Sequence, residues 1–337
     1  MNEIKPTKSI GIRKSLVDGP EKVSGKALYS ADFIPADCLV GRIYRSPISH
    51  GEIIEVDISE AQALPGVKAV ITGDETDEAF GVLPIARFEY PLARDKVRYK
   101  GEPVACVAAI DVKTAQKAIK LIKFKYKKLP AYFTSQEAMA EGSINLHDHR
   151  EGNIERDVDF DLGETDEGLA AADLIMEETY NCAEVAQVQS EPHAAIAEYD
   201  AIRDFMTVRA STQVPYYGHK MLAKTLKMEE SKVRMIKPFV GGGFGCRTEC
   251  LNVELICALV ARAAKGTVRI VTSREETFIT HRGRPETDVE IKIGVKKNGV
   301  ITAVDFKAIQ RGGAYSGYGV VTILYAGGLM FGVYQLP

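Results

Sequence analysis

Hydrophobic positions along this chain fall mostly into short runs of strand length, and one long stretch breaks that rhythm with a helical spacing. An apolar, partly β-branched segment from Val233 to Val240 runs into Gly241, Gly242, Gly243, Phe244 and Gly245. Beyond it Leu251, Leu255, Ile256, Leu259, Val260 and Ala263 recur at intervals of mostly three or four. The pattern predicts strand, glycine loop and helix.

Upstream, Cys38–Ser46, Ile53–Ile58 and Val67–Thr72 read as strands. Ser59–Leu64 reads as a short helix with a serine cap, stopped by Pro65 and Gly66. Arg98–Ile110 is a loop feeding a buried strand, Lys113–Lys120 a lysine-rich helix, and Ile122–Tyr126 an alternating strand whose lysines form a solvated face. Downstream, Asp173–Tyr180, the segment ending at Tyr199, Phe205–Arg209 and Thr267–Thr272 are strands, and Arg274–Glu290 is a charged loop. Asn298-Gly299 between the alternating runs Val289–Val295 and Val300–Ile309 predicts a hairpin closed by a type I′ turn. The fold class is therefore α+β. An α/β unit occupies 1–135, an acidic, histidine-bearing linker 136–160, and a second domain 161–337. In the linker His147, Asp148 and His149 suggest a metal, but histidines two apart face opposite ways on a strand, and a solvated linker is preferred.

Composition narrows the function. The chain has 337 residues, 45% of them hydrophobic, and a net charge of −3 with both signs well mixed, which gives no electrostatic case for nucleic acid. Six cysteines (Cys38, Cys106, Cys182, Cys246, Cys250 and Cys257) lack metal-ligand spacing and fit a reduced, cytoplasmic protein, and no metal ligand is assigned. The polar first eight residues have no signal-peptide core, and Val320–Tyr334 is short for a membrane span and reads as protein core.

The glycine loop is the main candidate for chemistry. Glycine lets a ligand approach without a Cβ in the way, and successive N–H groups at a helix N-terminus suit an anionic oxygen. Gly-Gly-Gly-Phe-Gly matches neither the P-loop nor the dinucleotide fingerprint, and a tight turn between packed elements remains the alternative. Between Gln187 and His193 the amides and carboxylates are dense for a segment entering a buried strand, and such groups must find partners in the protein or on a ligand.

Taken in order, Glu191-Pro-His-Ala-Ala, the glycine loop, Arg282-Gly-Arg-Pro and the Asn-Gly hairpin resemble the molybdenum-binding subunits of the xanthine dehydrogenase/aldehyde oxidase family. The first region resembles that family's hammerhead α/β domain, and the second the first part of its molybdopterin-binding domain. Within the family, Phe239–Glu249, Thr277–Pro285 and Gly312–Tyr318 are most like 4-hydroxybenzoyl-CoA reductase α subunits. The resemblance implies reductive dehydroxylation of an aromatic acyl-CoA with molybdopterin. It also implies iron–sulfur clusters and FAD on partner subunits of a hetero-oligomer, with no nucleic acid or membrane as partner. Aldehyde or heteroaromatic hydroxylation, and a silent chain that only docks partners, are the alternatives. By resemblance Gln187, Gly242, Gly243, Phe244, Gly245 and Arg247 contact the cofactor, and Tyr325 is a catalytic proton donor or else a core tyrosine. Thr248 stands where purine hydroxylases carry a glutamate, and Glu249 follows one residue later. The family's later pterin contacts and its catalytic glutamate are absent from these residues, so the isolated chain is expected to bind little molybdenum.

Overall fold

The computed structural model describes residues 9–81, 86–280 and 282–334. The polar first eight residues, residues 82–85, His281 of the Thr280–Pro285 stretch and residues 335–337 lie outside them. From the N-terminus α1 (Gly19–Val23) leads to β1 (Leu39–Arg45), β2 (Gly51–Asp57), α2 (Ser59–Ala63), β3 (Val67–Thr72), β4 (Lys96–Val97) and β5 (Pro103–Ala109). Next come α3 (Val112–Leu121), β6 (Lys123–Lys128), α4 (Ser135–Met139), α5 (Thr165–Ala170), β7 (Leu174–Cys182), β8 (Ala194–Asp200) and β9 (Phe205–Ala210). The remainder is α6 (Pro215–Leu226), β10 (Val233–Ile236), α7 (Asn252–Ala264), β11 (Thr267–Val271), α8 (Arg274–Ile279), β12 (Thr287–Val295), β13 (Ile301–Gln310) and α9 (Gly319–Val333).

Seven strands form one sheet in the order β10-β9-β8-β11-β1-β5-β3, so strands from both halves of the chain share it. The join is the parallel pair β1–β11, with Leu39 opposite Val268 and Gly41 opposite Ile270. Helices cover both faces. Every residue of β5 is buried, because Ala105, Val107 and Ala109 meet α3 through Ala115 and Ala118, while Cys106 and Ala108 turn to the core of α7. A strand covered on both sides reads as a continuous apolar run.

Two three-stranded sheets flank this core, β4-β2-β6 and β13-β12-β7. On the first, Lys123, Lys125 and Lys127 reach Glu60, Glu55 and Glu52 at 2.5, 2.5 and 3.2 Å on an exposed face. The lysines are thus a solvated ladder, as expected. The hairpin turn differs: Gly299 alone has positive φ, at 86°, and the N–H of Gly299 donates to Lys296 O while that of Lys296 donates to Val300 O. One extra residue makes this a type I turn with a glycine bulge instead of a type I′ turn.

Three further expectations are corrected. Ser59 does not cap α2: the cap position is Ile58, and the Ser59 hydroxyl donates to Asp57 at 2.6 Å. Arg274–Ile279 is a helix, with Ser273 and Glu276 forming a reciprocal cap. The apolar run after Val320 is helix α9 and not core, since Tyr325, Leu329 and Val333 are all exposed; it contacts the sheet through β13. Among the described residues no helix is long and apolar enough to cross a membrane. The 136–160 stretch is partly packed. His147 Nε2 donates to the Ala314 carbonyl at 2.7 Å and the ring lies edge-on to Phe88 and Tyr315, and burial lowers its pKa to about 4.

Helix α7 carries a buried titrating group. Glu254 accepts from the Leu251 N–H at 3.2 Å, and burial raises its carboxyl to about 7. An unfolded glutamate ionises near 4.3, so the unfolded chain loses its proton first as pH rises, and stability falls between about pH 4.3 and about 7. Glu254→Gln should flatten that fall in denaturant midpoints measured across the window; an unchanged slope would contradict it.

Candidate functional site

The glycine loop is fastened from below by a buried ion pair. Strand β10 delivers the chain to Gly241, whose N–H donates to Glu191 Oε2 at 2.8 Å. Ser211 Oγ donates to the same oxygen at 2.6 Å, and Arg247 Nη1 at 2.9 Å. Arg247 Nη2 donates to the Glu191 carbonyl at 2.7 Å, and Ser30 N–H to Glu191 Oε1 at 3.3 Å. Arg247 is 0% exposed. A buried charge pair holds only when its remaining hydrogen-bonding positions are met, and here most are. Arg247, expected to contact the cofactor, has its guanidinium bonded inside the protein to Glu191, Pro192 and Ser211, where it positions the loop. Glu191 is the missed partner, although the polar density of its segment had marked it.

Above this base the chain turns sharply. Gly242, Phe244 and Gly245 have φ of 107°, 50° and 94°. Positive φ is strained for a bulky residue such as Phe244, and surrounding bonds hold the turn. Cys246 N–H donates to Gly243 O at 2.9 Å and Thr248 N–H to Gly245 O at 3.2 Å. Gly245 N–H donates to Gln213 Oε1 at 3.1 Å. Gly243 has no positive φ; a side chain there is limited by Gln213, whose Oε1 would lie 2.4 Å from an added Cβ. The N–H groups of Gly242, Gly243 and Phe244 donate to no acceptor among the described residues. Phe244 stands 73% exposed beside them.

The helix dipole plays no part in this site. Helix α7 begins at Asn252, well beyond Gly245, and its first turn is buried and capped by Glu254. The donors are those of the loop alone. Cys246 and Cys250 precede the helix and are buried free thiols.

Two glutamines lie in the segment before β8. Gln187 is half-buried, and its Oε1 has no partner. Gln189, missed by the sequence reading, is 2% exposed and lies against Gly242, where its Cβ would be 3.0 Å from an added Cβ. Its Nε2 is 3.4 Å from His193 Nε2, and its Oε1 has no partner.

The Arg-Gly-Arg-Pro stretch is a strap. Arg282 pairs with the buried Glu89 and, at 3.5 Å, with Glu249. Glu249 also accepts from Tyr318 N–H at 2.9 Å, so it is committed to the protein and offers no carboxylate to a purine. Tyr318 leads into α9. Its phenol pKa is raised first by burial, then by neighbouring Tyr217, Glu249 and Tyr325. Tyr325 itself is 65% exposed, which corrects its alternative reading as a core residue. Tyr216, Tyr217 and Phe244 are exposed rings as well, and Tyr217 and Tyr325 both neighbour Tyr318.

Three unpartnered backbone N–H groups and two orphaned amide carbonyls fit a ligand that presents anionic oxygen on one edge and N–H donors on another. A molybdopterin cofactor has both.

The comparisons agree with this chemistry. Residues 146–337 match the molybdopterin cofactor-binding domain, and residues 24–130 the a/b hammerhead domain of aldehyde oxidase and xanthine dehydrogenase. The nicotinate dehydrogenase large molybdopterin subunit of Eubacterium barkeri is 34% identical over 97% of this chain and 76% of its own length. A probable hypoxanthine oxidase of Escherichia coli O157:H7 is 32% identical over 89% of this chain but 36% of its own length. Among solved structures, quinoline 2-oxidoreductase from Pseudomonas putida 86 superposes with a TM-score of 0.84 at 28% identity, over 92% of this chain and 40% of that one.

Proposed function

Because this chain belongs to the aldehyde oxidase and xanthine dehydrogenase family of molybdenum oxidoreductases, we propose that it forms the glycine-loop wall of a site that hydroxylates a nitrogen heteroaromatic ring. The observation that carries this reading is the set of unpartnered N–H groups at Gly242, Gly243 and Phe244 among exposed aromatic side chains. Nicotinate and quinoline, named for two relatives, are flat ring substrates of the kind such side chains can stack on. When bound, molybdopterin supplies two-electron redox chemistry at molybdenum. The loop N–H groups would hold its anionic oxygen edge, Gln187 and Gln189 would accept from its N–H groups, and Phe244 would shield the edge from water. Arg247 and Glu191 keep the loop in place.

The chain spans well under half the length of several relatives and 76% of one. Further polypeptide, continuous with this chain or separate, supplies the opposite wall and covers the exposed apolar side of α9. Iron–sulfur and flavin subunits relay the electrons, and the six free cysteines support a cytoplasmic setting.

A second reading, reductive dehydroxylation of 4-hydroxybenzoyl-CoA, is favoured by one observation, the exposed Tyr325 phenol near Tyr318. A phenol hydroxyl can donate a proton to a leaving hydroxyl. The complex purified with its partner subunits decides between them. Oxidation of nicotinate or quinoline with a dye acceptor supports the first reading. Turnover of 4-hydroxybenzoyl-CoA with a reduced dye, lost by roughly two to four orders of magnitude in Tyr325→Phe, supports the second. Activity on purines alone contradicts both.

A further inference from the structure

We propose that Gln213 is a further cofactor contact at the glycine loop, with its side-chain –NH2 donating to the same anionic oxygen edge as the Gly242, Gly243 and Phe244 N–H groups. The inference rests on the reading of that loop as a cofactor wall.

Gln213 sits on a fixed piece of backbone. Ser211 and Thr212 before it are buried, Thr212 Oγ1 accepts from Val214 N–H at 3.1 Å, and Pro215 starts α6. The Gln213 N–H donates to Arg247 O at 2.9 Å, tying this backbone to the residue that anchors the loop. The side chain is exposed and lies flat on Gly243, where an added Cβ would fall 2.4, 2.6 and 2.9 Å from its Oε1, Cδ and Cγ. Only a residue without a Cβ leaves room for it.

The bond to Gly245 settles which end of the amide is which. An N–H must meet the carbonyl oxygen, so Oε1 is turned to Gly245 and the –NH2 is turned away. No acceptor among the described residues takes that –NH2, and the group is not buried. A double donor is thus held in one orientation beside three unpartnered backbone donors. Four donor groups with no acceptor between them call for anionic oxygen.

The two ends of the amide can be tested separately. Gln213→Glu keeps an acceptor for Gly245 N–H but replaces the donor with a second, negatively charged oxygen; Gln213→Ala removes both. The readouts, taken on the complex purified with its partner subunits, are deuterium exchange of the Gly245 peptide and molybdenum per chain. In Gln213→Glu we expect wild-type protection at Gly245 and molybdenum reduced about tenfold or more, the loss of one charge-assisted bond plus repulsion. In Gln213→Ala both should fall. Gln213→Glu with wild-type molybdenum overturns the proposal. So does a Gln213→Glu chain that loses protection and molybdenum together as Gln213→Ala does, which is the behaviour of a simple prop. A wild-type complex without molybdenum removes the cofactor-wall reading itself, and this proposal with it.

Discussion

Arg247→Met should destabilise the chain by about 3–5 kcal/mol, the usual cost of leaving one member of a buried ion pair without the other. Arg247 is fully buried, and Glu191 would keep its carboxylate with only Ser211, Gly241 and Ser30 as donors. The carbonyls of Glu191, Pro192 and Ser211 would lose their donor as well. Replacing both partners, as in Arg247→Met with Glu191→Leu, should recover part of the loss, because the desolvation of both charges is then avoided. Urea unfolding of the single and double variants measures this. A loss below about 1 kcal/mol for the single variant would show that the pair is not the loop's foundation.

Gly243→Val has its large effect elsewhere. The loop is at the surface, and φ at Gly243 is not positive, so the backbone accepts a side chain. The new Cβ would instead drive Gln213 off Gly243, and with it the acceptor of the Gly245 N–H. The loop then loses its grip from above while Glu191 and Arg247 still hold it from below. Molybdenum per chain in the assembled complex should fall roughly tenfold, the scale of one lost hydrogen bond at a ligand edge. Limited proteolysis of residues 1–135 should be unchanged. Equal weakening of both regions would contradict the account.

Much of the fold could be read from local pattern, because strands announce themselves within a few residues. The buried run at Pro103–Ala109 and the alternating hairpin from Thr287 to Gln310 are of this kind. Long-range pairing leaves no such trace. Nothing local indicates that β1 joins β11, more than 220 residues away, and so places both halves in one sheet. Composition misled twice. The charges of Arg274–Ile279 hid a helix whose Ser273 and Glu276 are a capping signal in the sequence. The apolar character of α9 suggested core, but burial depends on what lies opposite, and the described residues place little there.

At the site, the sequence marked the loop and the polar segment before β8, and the fold bonds the two through Glu191 and Gly241. It could not rank the glutamines. Gln187 and Gln189 are indistinguishable by spacing, and only the fold shows Gln189 against Gly242. Arg247 looked like a ligand contact because it follows the glycines. The turn from Gly243 to Thr248 carries it inward to Glu191 instead, a partner 56 positions away. Tyr325, read as a proton donor or else a core tyrosine, lies exposed on a helix that the apolar run did not announce.

The central claim is that the Gly242–Gly245 loop is a wall of the molybdopterin site. Molybdenum content of the complex, purified with its partner subunits, tests it most directly when wild type is compared with Gly243→Val. The account predicts close to one molybdenum per chain in wild type and a severe loss in the variant, with iron and flavin contents unchanged. Equal molybdenum in the two, or none in a wild-type complex that carries its full iron and flavin, would contradict it.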